Sequence, residues 1–126
     1  MPPDAAIERR LRELGASVSG WANDPGDRYA AHEHRYDKVL VAVEGAITFV
    51  LPATGAVIEL DAGDRLDLPA GTSHAATVGD DGVRCLEAHL LATRPGSLPR
   101  RVAGWAFGVA VEGTQPPAET ADATGT

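Results

Sequence analysis

Two blocks of glycine, proline and histidine at fixed spacing constrain this chain more than anything else in it. The first runs Gly26, five residues, His32, one residue, His34, three residues, Lys38, six residues, Gly45. The second runs Gly63, five residues, Pro69, one residue, Gly71, two residues, His74. Three of the four histidines fall inside these blocks, and imidazole is the commonest protein ligand for transition metals. On a strand, residues two apart share a face, so His32 and His34 project together about 7 Å apart along the axis. Glu33 then points the other way. The stretch Pro69-Ala70-Gly71-Thr72-Ser73 is a turn signal, because proline presets one dihedral and glycine supplies a permissive one. It delivers His74 to the start of the following strand, where a third imidazole meets the first two.

These residues resemble the two signature motifs of the cupin superfamily, Gly-x5-His-x-His-x3or4-Glu-x6-Gly and Gly-x5-Pro-x-Gly-x2-His-x3-Asn. The match falls at Gly26, His32, His34 and Gly45, then at Gly63, Pro69, Gly71 and His74, and covers residues 26 to 91, about half the chain. The resemblance implies an all-β, single-domain jelly-roll barrel holding one divalent transition metal ion (Fe, Mn, Ni, Cu or Zn) through His32, His34 and His74. It also implies a small organic substrate, dioxygenase-like or isomerase/cyclase-like chemistry, and a homodimer. Two positions depart from the pattern. Val78 stands where the family has its asparagine, and Lys38 where it has a metal-binding glutamate.

Lys38 is the consequential departure, since an ammonium has no lone pair and repels a divalent cation. Four outcomes are open. Lys38 bends away and leaves a three-histidine centre, as in cysteine dioxygenase and some diketone-cleaving cupins. Asp37 replaces the glutamate, although strand alternation turns it to the opposite face unless a bulge intervenes. Lys38 holds an anionic substrate group over the metal. The site has decayed and binds none.

Bulk properties add exclusions. At 126 residues with 44% hydrophobic content the chain is one domain with a single core. A formal charge of −7 leaves no electrostatic footprint for nucleic acid or an anionic membrane. Arg9-Arg10 with Arg12 and Arg100-Arg101 read as solvated faces. The single cysteine, Cys85, excludes an internal disulfide and makes a cytoplasmic setting the default. The start has no secretory-signal character, and no apolar run is long enough to span a bilayer.

Along the chain, Ile7, Leu11 and Leu14 predict a short amphipathic helix ended by Gly15. Candidate strands follow at Val39–Val43, Ala46–Leu51, Val57–Leu60, Arg65–Leu68, His74–Val78 and Val83–Leu91, with turns between them. Six short strands without intervening helices predict an antiparallel sandwich or barrel on their own account. Trp105, Phe107, Val109 and Val111 alternate and predict one more strand. The expected organisation is a helix and lead-in over residues 1–20, a barrel over 21–113, and a disordered tail over 114–126, which is rich in Pro, Ala and Thr.

Tyr36 shares parity with the histidine pair. With Lys38 it is the candidate catalytic residue; a barrel-rim tyrosine is the plain alternative. Cys85, Glu87 and His89 share one strand face. The more apolar set of Leu86, Ala88 and Leu90 is expected inward, which places those three outside, although His89 with Glu87 as its orienting carboxylate would suit a position beside a metal. Two functions fit: a metal-dependent enzyme acting on a small organic molecule, and a non-catalytic module that binds or senses a small ligand.

Overall fold

The computed structural model describes residues 1–14, 17–90 and 97–110. Along the chain come α1 (Asp4–Arg12), β1 (Ser17–Asn23), β2 (Arg28–His32), β3 (Asp37–Leu51), β4 (Ala56–Asp61), β5 (Arg65–Leu68), β6 (His74–Leu90), β7 (Arg100–Val102) and a 3-10 turn, Trp105–Gly108. All strand pairings are antiparallel, in the order β1-β6-β3-β5-β7, with β2 added on β6 and β4 on β3.

Two long strands organise everything else. β3 and β6 pair with each other from Asp37↔Leu90 to Val50↔Ala75, and each serves two neighbours along its other edge. The first part of β3 lies against β5 and the second against β4. The first part of β6 lies against β2 and the second against β1. Four of the expected strands are therefore halves of two. Glu44-Gly45 and the Gly79–Gly82 stretch are bends within continuous strands, with register shifts between Ala42 and Glu44 and between Gly45 and Ile47. A bulge bends its strand and strengthens the local twist, which lets one sheet wrap round its own core.

Gly45 is indispensable to this bend. Its φ is 74°, and a Cβ there would sit 1.9 Å from the backbone oxygen of Gly82. Gly55 has φ 76° but open space around it. We predict that Gly45→Ala costs roughly 2–5 kcal/mol, combining left-handed strain with a backbone clash. Gly55→Ala carries only the strain, about 1–2 kcal/mol. Urea unfolding of the two variants measures both, and equal costs would show that the Gly45–Gly82 contact is unimportant.

The bend also reverses which side chains face inward. Before it Leu40 and Ala42 of β3 enter the inner core, and after it Ile47, Phe49 and Leu51 do; Leu60, Leu66, Val83 and Cys85 are among the other members of that cluster. The opposite face of β3 and β6 is equally apolar. Val39, Val41, Val43, Leu86 and Ala88 are covered by Ile7 and Leu11 of α1 and by Ala106. The helix begins after Pro3, carries Asp4 in its first turn and Arg9, Arg10 and Arg12 in its last, and so suits the helix dipole at both ends. It ends at Arg12, so Leu14 lies beyond it and is exposed; Gly15 lies outside the described residues. Arg84 ties the helix to the sheet through Asp4 and also binds Glu44, and these carboxylates raise its pKa further.

The strand expected from the Trp105-to-Val111 alternation is not formed. Among the described residues of this segment only Arg100–Val102 pairs, with β5, and the chain then tightens into a 3-10 turn. The reason is local. The Asp64 carboxylate accepts the Gly104 N–H at 2.8 Å, and the Gly63 carbonyl accepts the Ala106 N–H at 2.9 Å. Ala106 is buried while Phe107 is 59% exposed, so no single apolar face exists. Val111 and the expected tail lie outside the described residues. Among those residues no helix is long and apolar enough to cross a membrane.

Candidate metal centre

His32 closes β2 and His74 opens β6, and the two face each other directly in register. His34 lies two residues past the end of β2, where the strand has stopped. Its carbonyl accepts the Gly71 N–H at 2.8 Å, which fastens the first motif to the turn of the second. The three rings converge, with centroids 4.5 Å apart for His32 and His74, 4.9 Å for His32 and His34, and 5.4 Å for His34 and His74. One ligand nitrogen from each lies within 4.8 Å of the others.

Their outer nitrogens are engaged. Nδ1 of His32 lies 2.8 Å from the Ala30 carbonyl, and Nδ1 of His74 lies 2.9 Å from the Thr72 carbonyl. A carbonyl only accepts, so each Nδ1 carries the proton and donates it, leaving a lone pair on Nε2 in the neutral ring. Nδ1 of His34 meets the Tyr36 hydroxyl at 3.1 Å. Its Nε2 is buried without a hydrogen-bond partner among the described residues. Buried polar atoms are nearly always satisfied, so this orphan asks for an occupant. Burial, then the positive charge of Lys38, holds His34 below the ordinary imidazole range. Burial does the same to His74 and outweighs the opposing hydrogen bond to Thr72. Both rings are thus kept neutral, the form that coordinates.

The cavity beside these rings has a volume of about 280 Å³. Leu40, Ile47, Phe49 and Ala76 give it an apolar floor, while Tyr36, Lys38 and Glu87 supply polar groups. Tyr36 does line the cavity, its ring stacked on His34 at 4.8 Å and 4.2 Å from that of His89. Burial, then Glu87, raises its pKa. Lys38 points into the cavity, and its Nζ stands 3.5 Å from Oε1 of Glu87. Asp37 is turned away and accepts the Ala70 N–H at 2.8 Å, so it does not stand in for the missing glutamate.

The expected facing of Cys85, Glu87 and His89 is reversed. Cys85 lies in the inner core and Glu87 lines the cavity, whereas Leu86 and Ala88 pack under α1. Both faces of β6 are covered, so apolarity could not identify the inner one. Glu87 is the main residue that sequence reasoning misplaced. Its Oε1 accepts the indole N–H of Trp21 at 2.6 Å, and its Oε2 lies 2.5 Å from Nε2 of His89. Burial pushes its pKa up, but His89, Lys38 and Trp21 together outweigh that and hold it low, so it is a carboxylate. Burial, then Glu87, pushes the Cys85 thiol up to about 12, which fits an inert core residue. No local pattern marks Trp21, because β1 has no strong apolar alternation.

Neither a protein-family model nor a curated protein matches the sequence. Solved structures do match by fold. Oxalate decarboxylase from Bacillus subtilis, a protein with Mn(II) centres, aligns with a TM-score of 0.53 at 16% identity over 62% of this chain and 22% of its own. The protein YhaK from Escherichia coli aligns with a TM-score of 0.55 at 17% identity over 71% of this chain and 44% of its own. A cupin-2 domain protein from Shewanella frigidimarina aligns at 0.48 with 20% identity, over 56% of this chain and 65% of its own. The chain thus spans about a fifth of the oxalate decarboxylase and under half of YhaK.

Proposed function

We propose that this chain, which has the cupin fold, holds one divalent transition metal through His32, His34 and His74 and is an enzyme acting on a small organic molecule. The observation that carries this reading is the orphaned Nε2 of His34, buried beside two other imidazoles whose Nδ1 protons are already committed outward. The donor set fits: three neutral nitrogens suit iron, manganese, nickel, copper or zinc and leave coordination positions open. Metal–nitrogen bonds of about 2.0–2.1 Å require the rings to draw somewhat closer. The Mn(II) centres of a protein sharing the fold support the choice of a divalent ion.

Such an ion supplies Lewis-acid polarisation or dioxygen activation, so oxygenase chemistry leads and isomerase or cyclase chemistry follows. The protein's own groups do the rest. Tyr36 orients His34 through Nδ1, the apolar floor excludes water, and Lys38 stabilises negative charge that develops on the substrate. The internal ion pair of Lys38 with Glu87 is the observation that favours the second reading, a non-catalytic ligand-binding or sensing module, because it neutralises charge inside the cavity without any substrate.

The experiment is calorimetric titration of metal-free protein with each of the five ions, followed by an oxygen-uptake screen. Micromolar uptake at one ion per chain is expected, and failure with all five overturns the metal reading. Tyr36→Phe removes the hydrogen-bond partner of His34 Nδ1 and should weaken that uptake about tenfold or more, the usual cost of losing an outer partner. An unchanged constant would leave Tyr36 with no role at the centre.

A further inference from the structure

The cavity carries a second recognition element beside the three imidazoles. Lys38 is the one lysine or arginine among the described residues that line it. Its side chain is only 13% exposed, and its one described partner, Glu87, stands 3.5 Å away. That is beyond the 2.7–3.2 Å typical of an N–H···O bond. Glu87 is meanwhile occupied by Trp21 at 2.6 Å and His89 at 2.5 Å. Both carboxylate oxygens are therefore already engaged, and the ammonium, which stands farther off, retains donors and faces a cavity. A largely desolvated ammonium with no acceptor closer than this 3.5 Å contact among the described residues is under-satisfied, and an entering anionic oxygen relieves that cost.

We propose that Lys38 makes the cavity selective for small organic carboxylates, whose apolar part rests on Leu40, Ile47 and Phe49. The single negative charge of a carboxylate matches one ammonium, whereas a phosphate group carries about −1.5 to −2 and three acceptor oxygens, and the apolar floor calls for a hydrocarbon body. This deepens the metal reading and rests on it for the charge balance. Lys38 and Glu87 cancel, so a bound divalent ion leaves an excess of two positive charges in favour of an anion. By reciprocity, metal and carboxylate then strengthen each other's binding.

Calorimetry of the full chain, metal-free and Zn(II)-loaded, with benzoate and its neutral isostere benzamide tests the proposal. Benzoate should bind both forms, more tightly when zinc is present, and benzamide about tenfold or more weakly, as expected for a charge-assisted hydrogen bond. Lys38→Met should lose benzoate by a similar factor. Equal binding of acid and amide, no benzoate binding at millimolar concentration, or full benzoate affinity in folded Lys38→Met overturns it. The acid–amide comparison needs only the wild type, so a variant that fails to fold does not spoil the test. Acid preference in a protein that takes up no metal retains the carboxylate site and removes the metal; metal uptake without acid preference does the reverse.

Discussion

Replacing His34 by alanine is expected to lower divalent-metal affinity by about two orders of magnitude or more, since losing an outer partner alone costs 10–100-fold and the substitution removes one of the three proposed ligands itself. His34 holds the one buried side-chain nitrogen without a partner among the described residues, and it lies outside any strand. Its removal should therefore empty the centre while leaving the sheet in place, which circular dichroism of the variant checks. His89 is the matching control. It is the fourth histidine, bonded to Glu87 and packed on Tyr36 rather than directed at the cluster. His89→Ala should retain metal affinity within a small factor. Equal losses in the two variants would mean that the cluster of three has no special part in binding.

The second large effect is on stability. Asp64→Asn should cost about 2–3 kcal/mol at neutral pH, because a buried carboxylate that accepts three hydrogen bonds becomes an amide that accepts fewer. Asp64 is 5% exposed and receives the Asp61 N–H at 3.0 Å, the Gly104 N–H at 2.8 Å and the Arg101 guanidinium at 2.7 Å. Burial would raise its pKa, but the two backbone donors and Arg101 overcome that and hold it below the usual carboxylate range. A carboxyl whose folded pKa lies below its unfolded value contributes stability above the unfolded pKa, about 3.9, and loses it as pH falls through the folded value. The gap between wild type and Asp64→Asn should thus be full at neutral pH and shrink below about pH 4. Glu87 is also held low, but it is present in both proteins and cancels in the difference. Denaturant unfolding at several pH values measures the gap. A gap that stays constant into acid would contradict the assigned role of Asp64.

Much of the site was legible in the sequence because it depends on spacing. Pro69 and Gly71 favour a turn, which forms here with the Thr72 N–H donated to the Pro69 carbonyl, and the turn fixes where His74 begins its strand. The His32–His34 interval works even though His34 leaves the strand, since the irregular segment still brings both rings to one point. Other features depend on contacts that no local pattern records. The Glu44-Gly45 and Gly79–Gly82 stretches read as turns, yet each sits inside a continuous strand because β3 and β6 bend together, with the Gly45 position pressed on Gly82. The bend reverses the inward parity of both strands. The second apolar layer under α1 hides which face of β6 is inner, so Glu87 could not be placed from hydrophobicity. The segment after β7 failed for a similar reason. Its alternation looked strand-like, but Asp64 and Gly63, some 40 residues earlier, dictate a turn.

The most direct test of the metal centre is a crystal structure of metal-loaded protein with anomalous data collected at the absorption edge of the bound ion. One ion per chain is predicted, bonded to Nε2 of His32, His34 and His74 at about 2.0–2.2 Å, with Nδ1 of each ring still held by Ala30, Tyr36 or Thr72. An ion located elsewhere, or one at this position that leaves His34 Nε2 unbonded, would contradict the account.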